Sequence, residues 1–246
     1  MIAHRFSGRR VAITGGTSGL GLATVDALAR AGAHVAFVAR SETGVERTAR
    51  ARPGTHGVVG DVSVVGDIHP IAMQILAALG GLDVLINNAS ALGPVPLALL
   101  GDTACEDLDH ALVTNVLGPF RLTKALLGAL SLAAREGRGA VVLNVSSDAA
   151  VTPYPTWGAY GASKAALRHL TSIWDAELAA EGVRFLSLDP GDMDTPLHAL
   201  AVPDADRSIL KRPEDAALEL LTSIAAALPD APVPTTGGST EQERIS

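Results

Sequence analysis

The sequence predicts an α/β fold, a mostly parallel sheet flanked by helices on both faces, and three observations predict it. Short apolar runs alternate with longer helical patterns along most of the chain. Hydrophobic residues make up 48% of the 246 residues and charged residues only 18%, the balance of a sheet buried on both faces rather than of a disordered chain. A glycine-rich turn joins the first apolar run to the first helical segment, as strand–turn–helix units require.

The elements follow in order. Val11–Thr14 is a short apolar strand, and Leu20 to Ala31 is an Ala/Leu-rich helix stopped by Gly32. His34–Val38 repeats the strand pattern, a polar segment follows, and His56–Val59 is the third strand. A helix around Ile68–Leu79 leads to a strand at Leu82–Ile86, and a long helical segment runs from about Ala104 to Arg135. Ala140–Val145, a helix from about Trp157 to Ala180 and Val183–Leu188 continue the alternation, which implies parallel strands joined by right-handed crossovers. Residues 190–213 lose the pattern and carry Pro190, Pro196, Pro203 and Pro213, so they read as a long loop with at most a short helix before the last helix at Glu214–Ala227. The boundaries are one domain over 1–228, with a substrate loop at about 192–212, and an irregular tail over 229–246.

Charge and cysteine content narrow the partners. A net charge of -7 without a Lys/Arg cluster leaves no electrostatic grip for nucleic acid or anionic lipid. No stretch reads as long and apolar enough to span a bilayer, and the N-terminus lacks the apolar core of a secretion signal, so a cytoplasmic protein is expected. The single cysteine, Cys105, has neither a disulfide partner nor ligand-spaced companions, so no metal site is expected.

The turn Thr14-Gly15-Gly16-Thr17-Ser18-Gly19-Leu20-Gly21 lies where glycines let the backbone approach a pyrophosphate and a helix N-terminus presents free N–H groups to it. Its Gly-x-x-x-Gly-x-Gly spacing departs from the commoner Gly-x-Gly-x-x-Gly. Tyr160 and Lys164 are four apart in a helical segment and share a face, so both side chains can reach one ligand.

Together with Asn87-Asn88-Ala89, Asn115, Ser147 and Pro190-Gly191, these motifs resemble in order and spacing the short-chain dehydrogenases/reductases, over roughly residues 8–228. The resemblance implies a Rossmann-type doubly wound sheet of about seven strands, a nicotinamide cofactor and hydride transfer. Ser147 precedes Tyr160 by thirteen residues, the family's separation, which selects it over Ser146. By resemblance Tyr160 is the proton donor and acceptor, Lys164 lowers its pKa and holds the nicotinamide ribose, Ser147 polarises the carbonyl, and Asn115 holds a water that links Lys164 to solvent. A phenol of pKa near 10 needs such help, and an ammonium within about 4–6 Å favours the phenolate by roughly 1–3 units.

Cofactor contacts are expected from Gly15, Thr17, Ser18, Gly19, Leu20 and Gly21, then from Asp61 and Val62 at the adenine. Asn88, Ala89 and Ser90 follow, with Ser90 standing where the family usually has glycine, and Pro190, Gly191 and Thr195 complete the set at the nicotinamide. Arg40, about twenty residues past the glycine turn, suits the 2′-phosphate of NADP(H), where an acid would suit NAD(H). The substrate wall is expected from Leu92, Ala149, Tyr154, Trp157, Leu197 and Leu200, and the substrate from carbonyls or secondary alcohols. An NAD(H)-linked alcohol dehydrogenase and a non-catalytic NADP(H) sensor are the alternatives. Relatives form homodimers or homotetramers through helices corresponding to 104–135 and 157–180, and a dimer is the first expectation here.

Overall fold

The structure is a computed structural model and describes residues 3–229. After one helical turn, α1 (Ala3–Phe6), strands and helices alternate as β1 (Arg10–Thr14), α2 (Gly19–Arg30), β2 (His34–Ala39), α3 (Glu42–Ala51), β3 (Thr55–Val59), α4 (Ile68–Leu79) and β4 (Val84–Asn87). The second half gives α5 (Cys105–Leu112), α6 (Gly118–Arg135), β5 (Ala140–Val145), α7 (Gly158–Leu178), β6 (Val183–Leu188), α8 (Pro196–Ala201) and α9 (Pro213–Ala227). All the strands pair in parallel in the order β3-β2-β1-β4-β5-β6, a doubly wound sheet of the Rossmann type.

Strand alternation distributes the core between the two faces. In β1, Val11 and Ile13 join α2 and α9 on one side, while Ala12 joins α4 and α6 on the other. In β5, Val141, Leu143 and Val145 face the first layer, and Ala140 and Val142 the second. Every residue of β4 and β5 is buried, which is why these strands read as continuous apolar runs.

Four expectations change. Six strands are present among the described residues, not about seven, and residues 230–246, with Gly237-Gly238, lie outside the described residues. The polar segment after β2 is a helix, α3, started by Ser41, whose hydroxyl accepts from Gly44 N at 3.2 Å. The segment at 104–135 is one continuous helix only through a π-turn at Val113–Leu117. Pro119 causes it: the ring has no N–H for the carbonyl of Asn115 and would clash with it in a regular helix, so the turn widens. Finally, this 31-residue helix, Cys105–Arg135, is long and apolar enough to cross a bilayer, but its Leu122, Leu126 and Leu130 are fully buried in the core under the sheet.

The two sheet edges have opposite characters. At the amino ends of the strands, fully buried Asp83 accepts from Arg10 (2.6 Å) and Arg138 (2.7 Å). Burial works against its charge, but the hydrogen bonds from Arg138 and Arg10 prevail and hold the carboxyl below its ordinary value. At the carboxyl ends, the loops after β1, β4 and β5 bring the glycine turn, Asn88 and Ser147 to one edge.

Candidate active site

The glycine turn is shaped by a close crossing of β1 and β4. Asn88 Nδ2 donates to Thr14 O (2.8 Å), and the Thr14 hydroxyl accepts from the backbone N–H groups of Asn88 and Ala89, both at 3.0 Å. This crossing demands glycine: a Cβ on Gly21 would lie 2.1 Å from Gly15 O, and one on Gly15 would lie 2.8 Å from Asn88 Nδ2. Gly15 also has φ +72, in the left-handed region. Thr17 is half-buried and Ser18 exposed, Leu20 is buried beneath α2, and the unfilled backbone surface fits a pyrophosphate at the α2 N-terminus. From the far end of the chain, Thr195 approaches the same turn, its Cγ2 3.1 Å from where a Cβ on Gly19 would stand. Pro190 is buried and Gly191 (φ +77) exposed in the loop that carries Thr195 there.

Arg40 projects from the end of β2 with its side chain 73% exposed, and it makes a loose ion pair with Asp61 at 3.9 Å. Asp61 Oδ1 meanwhile accepts from Ser63 N and Oγ (2.8 and 2.7 Å). Val62 is almost fully buried in the core and under the start of α6, since a Cβ on Gly118 would lie 2.9 Å from Val62 O.

At the end of β5, Ser147 opens a helical turn, accepting from Ala149 N and donating to Asp148 Oδ1 at 3.0 Å. Tyr160 and Lys164 descend from the first turns of α7; both are buried, with Lys164 Nζ donating to Val145 O at 2.8 Å. Burial pushes Tyr160 up to about 12, against hydrogen bonding with Ser147 and Ser90 and helped by the charges of Asp189 and Asp148. Burial brings Lys164 down to about 8. The expected lowering of Tyr160 by Lys164 is therefore not seen in this state. Desolvation penalises phenolate and ammonium alike, and it is the largest influence on both groups.

Asn115, in the π-turn, is fully buried, and its side chain is committed to protein. Its Oδ1 accepts from Ser90 Oγ (3.1 Å) and Ala91 N (2.8 Å), and its Nδ2 donates to Ala91 O (2.7 Å) and Ser163 Oγ (2.8 Å). The amide thus clamps the loop after β4 to α7. Four residues on, Pro119 offers the Asn115 main-chain carbonyl no N–H.

Beside Tyr160 lies an apolar patch of Leu92, Ala149 and Tyr160, packed with Leu97, Trp157, Leu197 and Ala201. Trp157 meets Tyr160 edge-on with ring centroids 5.7 Å apart. Leu200 is not part of this wall: it is 53% exposed, because α8 turns Leu197 and Ala201, four apart, inward and Leu200 outward. Tyr154 is also exposed and gives its hydroxyl to Asp148 Oδ2 at 2.7 Å. Leu97 and Ser163 had no sequence signal, whereas Ala201 was readable as one turn beyond Leu197. No cluster of three or more metal-ligating side chains occurs among the described residues.

The arrangement is that of a nucleotide cradle opening on a buried phenol–ammonium pair beneath an apolar wall. Comparisons with known proteins agree with it. Residues 9–206 match the family model described as short chain dehydrogenase. Curated relatives include L-fucose dehydrogenase of Mus musculus, 32% identical over 82% of this chain and 72% of that protein, and glucose 1-dehydrogenase of Gluconobacter oxydans, 30% identical over 82% and 76%. Among solved structures, a 3-ketoacyl-(acyl-carrier-protein) reductase from Brucella melitensis, complexed with NADH, superposes with a TM-score of 0.80 at 28% identity over 87% of this chain and 90% of its own. A short chain dehydrogenase of Shigella flexneri complexed with NADP shares the fold at 0.80 and 24% identity, over 89% and 93% of the two chains. Matching by family model and by relatives over most of its length, the chain belongs to the short-chain dehydrogenase/reductase family of oxidoreductases.

Proposed function

We propose that the protein is an NADP(H)-dependent carbonyl reductase or alcohol dehydrogenase acting on a small ketone, aldehyde or secondary alcohol. The observation that carries this is the convergence of Ser147, Tyr160 and Lys164 beside an apolar wall, on the same edge of the sheet as the glycine cradle. A nicotinamide cofactor held by the glycine turn, Asn88 and Lys164 would supply hydride chemistry at the carbonyl carbon, as donor in reduction and acceptor in oxidation. The chain's own groups handle the proton. Tyr160 Oη gives its proton to the carbonyl oxygen as negative charge builds there, and the Ser147 hydroxyl donates a second hydrogen bond to that oxygen. Lys164 then lies 5.5 Å from the Tyr160 ring centroid, placed to favour the phenolate left behind. A water on the Asn115 carbonyl completes the route by which the proton is restored.

Arg40 supports NADP(H): it is exposed, held only loosely by Asp61 and free to swing onto a 2′-phosphate. The sugar dehydrogenases among the relatives support alcohol–carbonyl chemistry. A homodimer is proposed through α6 and α7, which expose Leu132 and Ile173.

The test is Tyr160→Phe. Turnover of a ketone panel with NADPH falls at least about a thousandfold, while NADPH still binds with wild-type affinity; retained activity, or affinity lost in parallel, removes the assignment.

A further inference from the structure

Asp148 has a position that the proton chemistry does not require. Its carboxylate stands at the cleft mouth with Oδ1 accepting from Ser147 Oγ at 3.0 Å and Oδ2 accepting from Tyr154 Oη at 2.7 Å. To hydrogen-bond a substrate carbonyl, the Ser147 hydroxyl must turn its single hydrogen away from Asp148. Oδ1 then gives up its serine donor just as the substrate arrives and, exposed as Asp148 is, turns to water or to a donor on the substrate. Oδ2 stays occupied by Tyr154, so the freed acceptor is one oxygen, one hydrogen-bond length from the serine that marks the reacting carbonyl.

The surroundings decide what fills it. Asp189 and Asp192 are exposed on the facing loop, and the charges of Asp189 and Asp148 are both felt at Tyr160. The loop's cations are engaged elsewhere: Arg207 donates to Asp194 at 2.5 Å and Lys211 to Glu219 at 2.6 Å. His198 lies 4.0 Å from Asp192. A carboxylate or phosphate next to the reacting carbon would meet like charge, whereas a hydroxyl would meet an acceptor.

We infer that Asp148 is a specificity-determining residue that accepts a hydrogen bond from a hydroxyl on the carbon beside the reacting one, so that the preferred substrates are uncharged α-hydroxy carbonyls and, in the oxidative direction, vicinal diols. This deepens the proposed oxidoreductase function and rests on it. In oxidation the carbinol carbon transfers its hydride, with two electrons, to the oxidised nicotinamide and its O–H proton to Tyr160, leaving C=O. The neighbouring hydroxyl keeps its C–O bond and only donates to Asp148. The apolar wall of Leu92, Leu97, Trp157 and Leu197 takes the remaining hydrocarbon.

The experiment compares kcat/KM with NADPH for 2-hydroxyacetophenone, acetophenone and benzoylformate, which share a ring and differ beside the carbonyl. Wild type favours the hydroxyketone over acetophenone by about tenfold or more, as a hydrogen bond to a charged group predicts, and benzoylformate is the poorest of the three. In Asp148→Ala the hydroxyketone/acetophenone ratio falls to about one and benzoylformate gains on both. In Tyr154→Phe, which leaves Oδ1 in place, the preference survives. A separate readout is binding of 1-phenyl-1,2-ethanediol to the NADP-loaded protein, followed by tryptophan fluorescence in a Trp174→Phe background that leaves Trp157 as the reporter; this binding weakens about tenfold in Asp148→Ala. Equal efficiency toward the two ketones in wild type, or a ratio unchanged in Asp148→Ala, overturns the inference and leaves the reductase standing. No turnover of any carbonyl overturns both.

Discussion

Lys164 Nζ lies 5.5 Å from the centroid of the Tyr160 ring, and burial moves both residues away from their charged forms, Tyr160 up to about 12 and Lys164 down to about 8. At neutral pH the resting pair is a neutral phenol beside an ammonium. The chain has two tyrosines, and the other, Tyr154, is also raised, by its hydrogen bond to Asp148. Absorbance titration of the cofactor-free protein at the phenolate band should therefore show no tyrosinate below about pH 10, the ordinary value. A phenolate step near neutral pH would show that Lys164 outweighs burial after all.

Arg40 tests the cofactor. Replacing it by Asp removes the charge available to a 2′-phosphate and supplies an acceptor for a 2′-hydroxyl. NADPH affinity should fall by about a hundredfold while NADH affinity holds or improves, in line with loss of a charge-assisted hydrogen bond. Equal losses for both nucleotides would reassign Arg40 to the surface.

Pro119 is expected to matter although it touches no reacting group. Pro119→Ala returns an N–H to the position four residues beyond Asn115, which lets the π-turn close into regular helix. The Asn115 carbonyl then bonds within the helix and no longer serves water. The expected outcome is a Tm at or above wild type with kcat reduced by about tenfold, a separation that loss of packing alone would not produce.

Asp83 carries a stability prediction. Asp83→Ala leaves Arg10 and Arg138 without their shared carboxylate and should cost about 3–5 kcal/mol in urea unfolding at pH 7. Because the folded carboxyl titrates below its unfolded value, its contribution is complete above the unfolded pKa and is lost as pH falls through the folded one. The difference between wild type and variant should shrink in that acid window. A gap that is constant with pH would mean the loss is packing, not charge.

Strands and most helices were legible because each apolar run is bounded by a turn signal, as with β5, read at its observed limits of Ala140 and Val145. Helix α3 escaped because only Gly44, Val45 and Thr48 are buried on it, too little for an apolar period. The site's chemistry was legible where spacing along one element carries it, as for Tyr160 and Lys164. It was not legible where the partner comes from elsewhere: nothing local to Asn115 points to Ser163, 48 residues on, and nothing in Asp148 announces Tyr154. Nor does spacing report burial, which is what raises Tyr160 in the folded chain. Leu200 shows a finer limit, since an apolar residue in an aperiodic loop faces inward or outward by the phase of a short helix that only the folded chain reveals.

The hydroxyl of Thr14 joins two halves of the sheet made far apart in sequence, accepting from backbone groups 74 and 75 residues downstream. A nascent chain that has completed β1, β2 and β3 already carries the glycine turn and Arg40, yet β1 still presents a bare edge. That edge waits for β4, and the waiting time grows with the loop that must close. Ligand affinity should accordingly appear as one late event in folding rather than accumulate strand by strand. The same bare edge is where a stalled or truncated chain would pair with a neighbour instead of with itself.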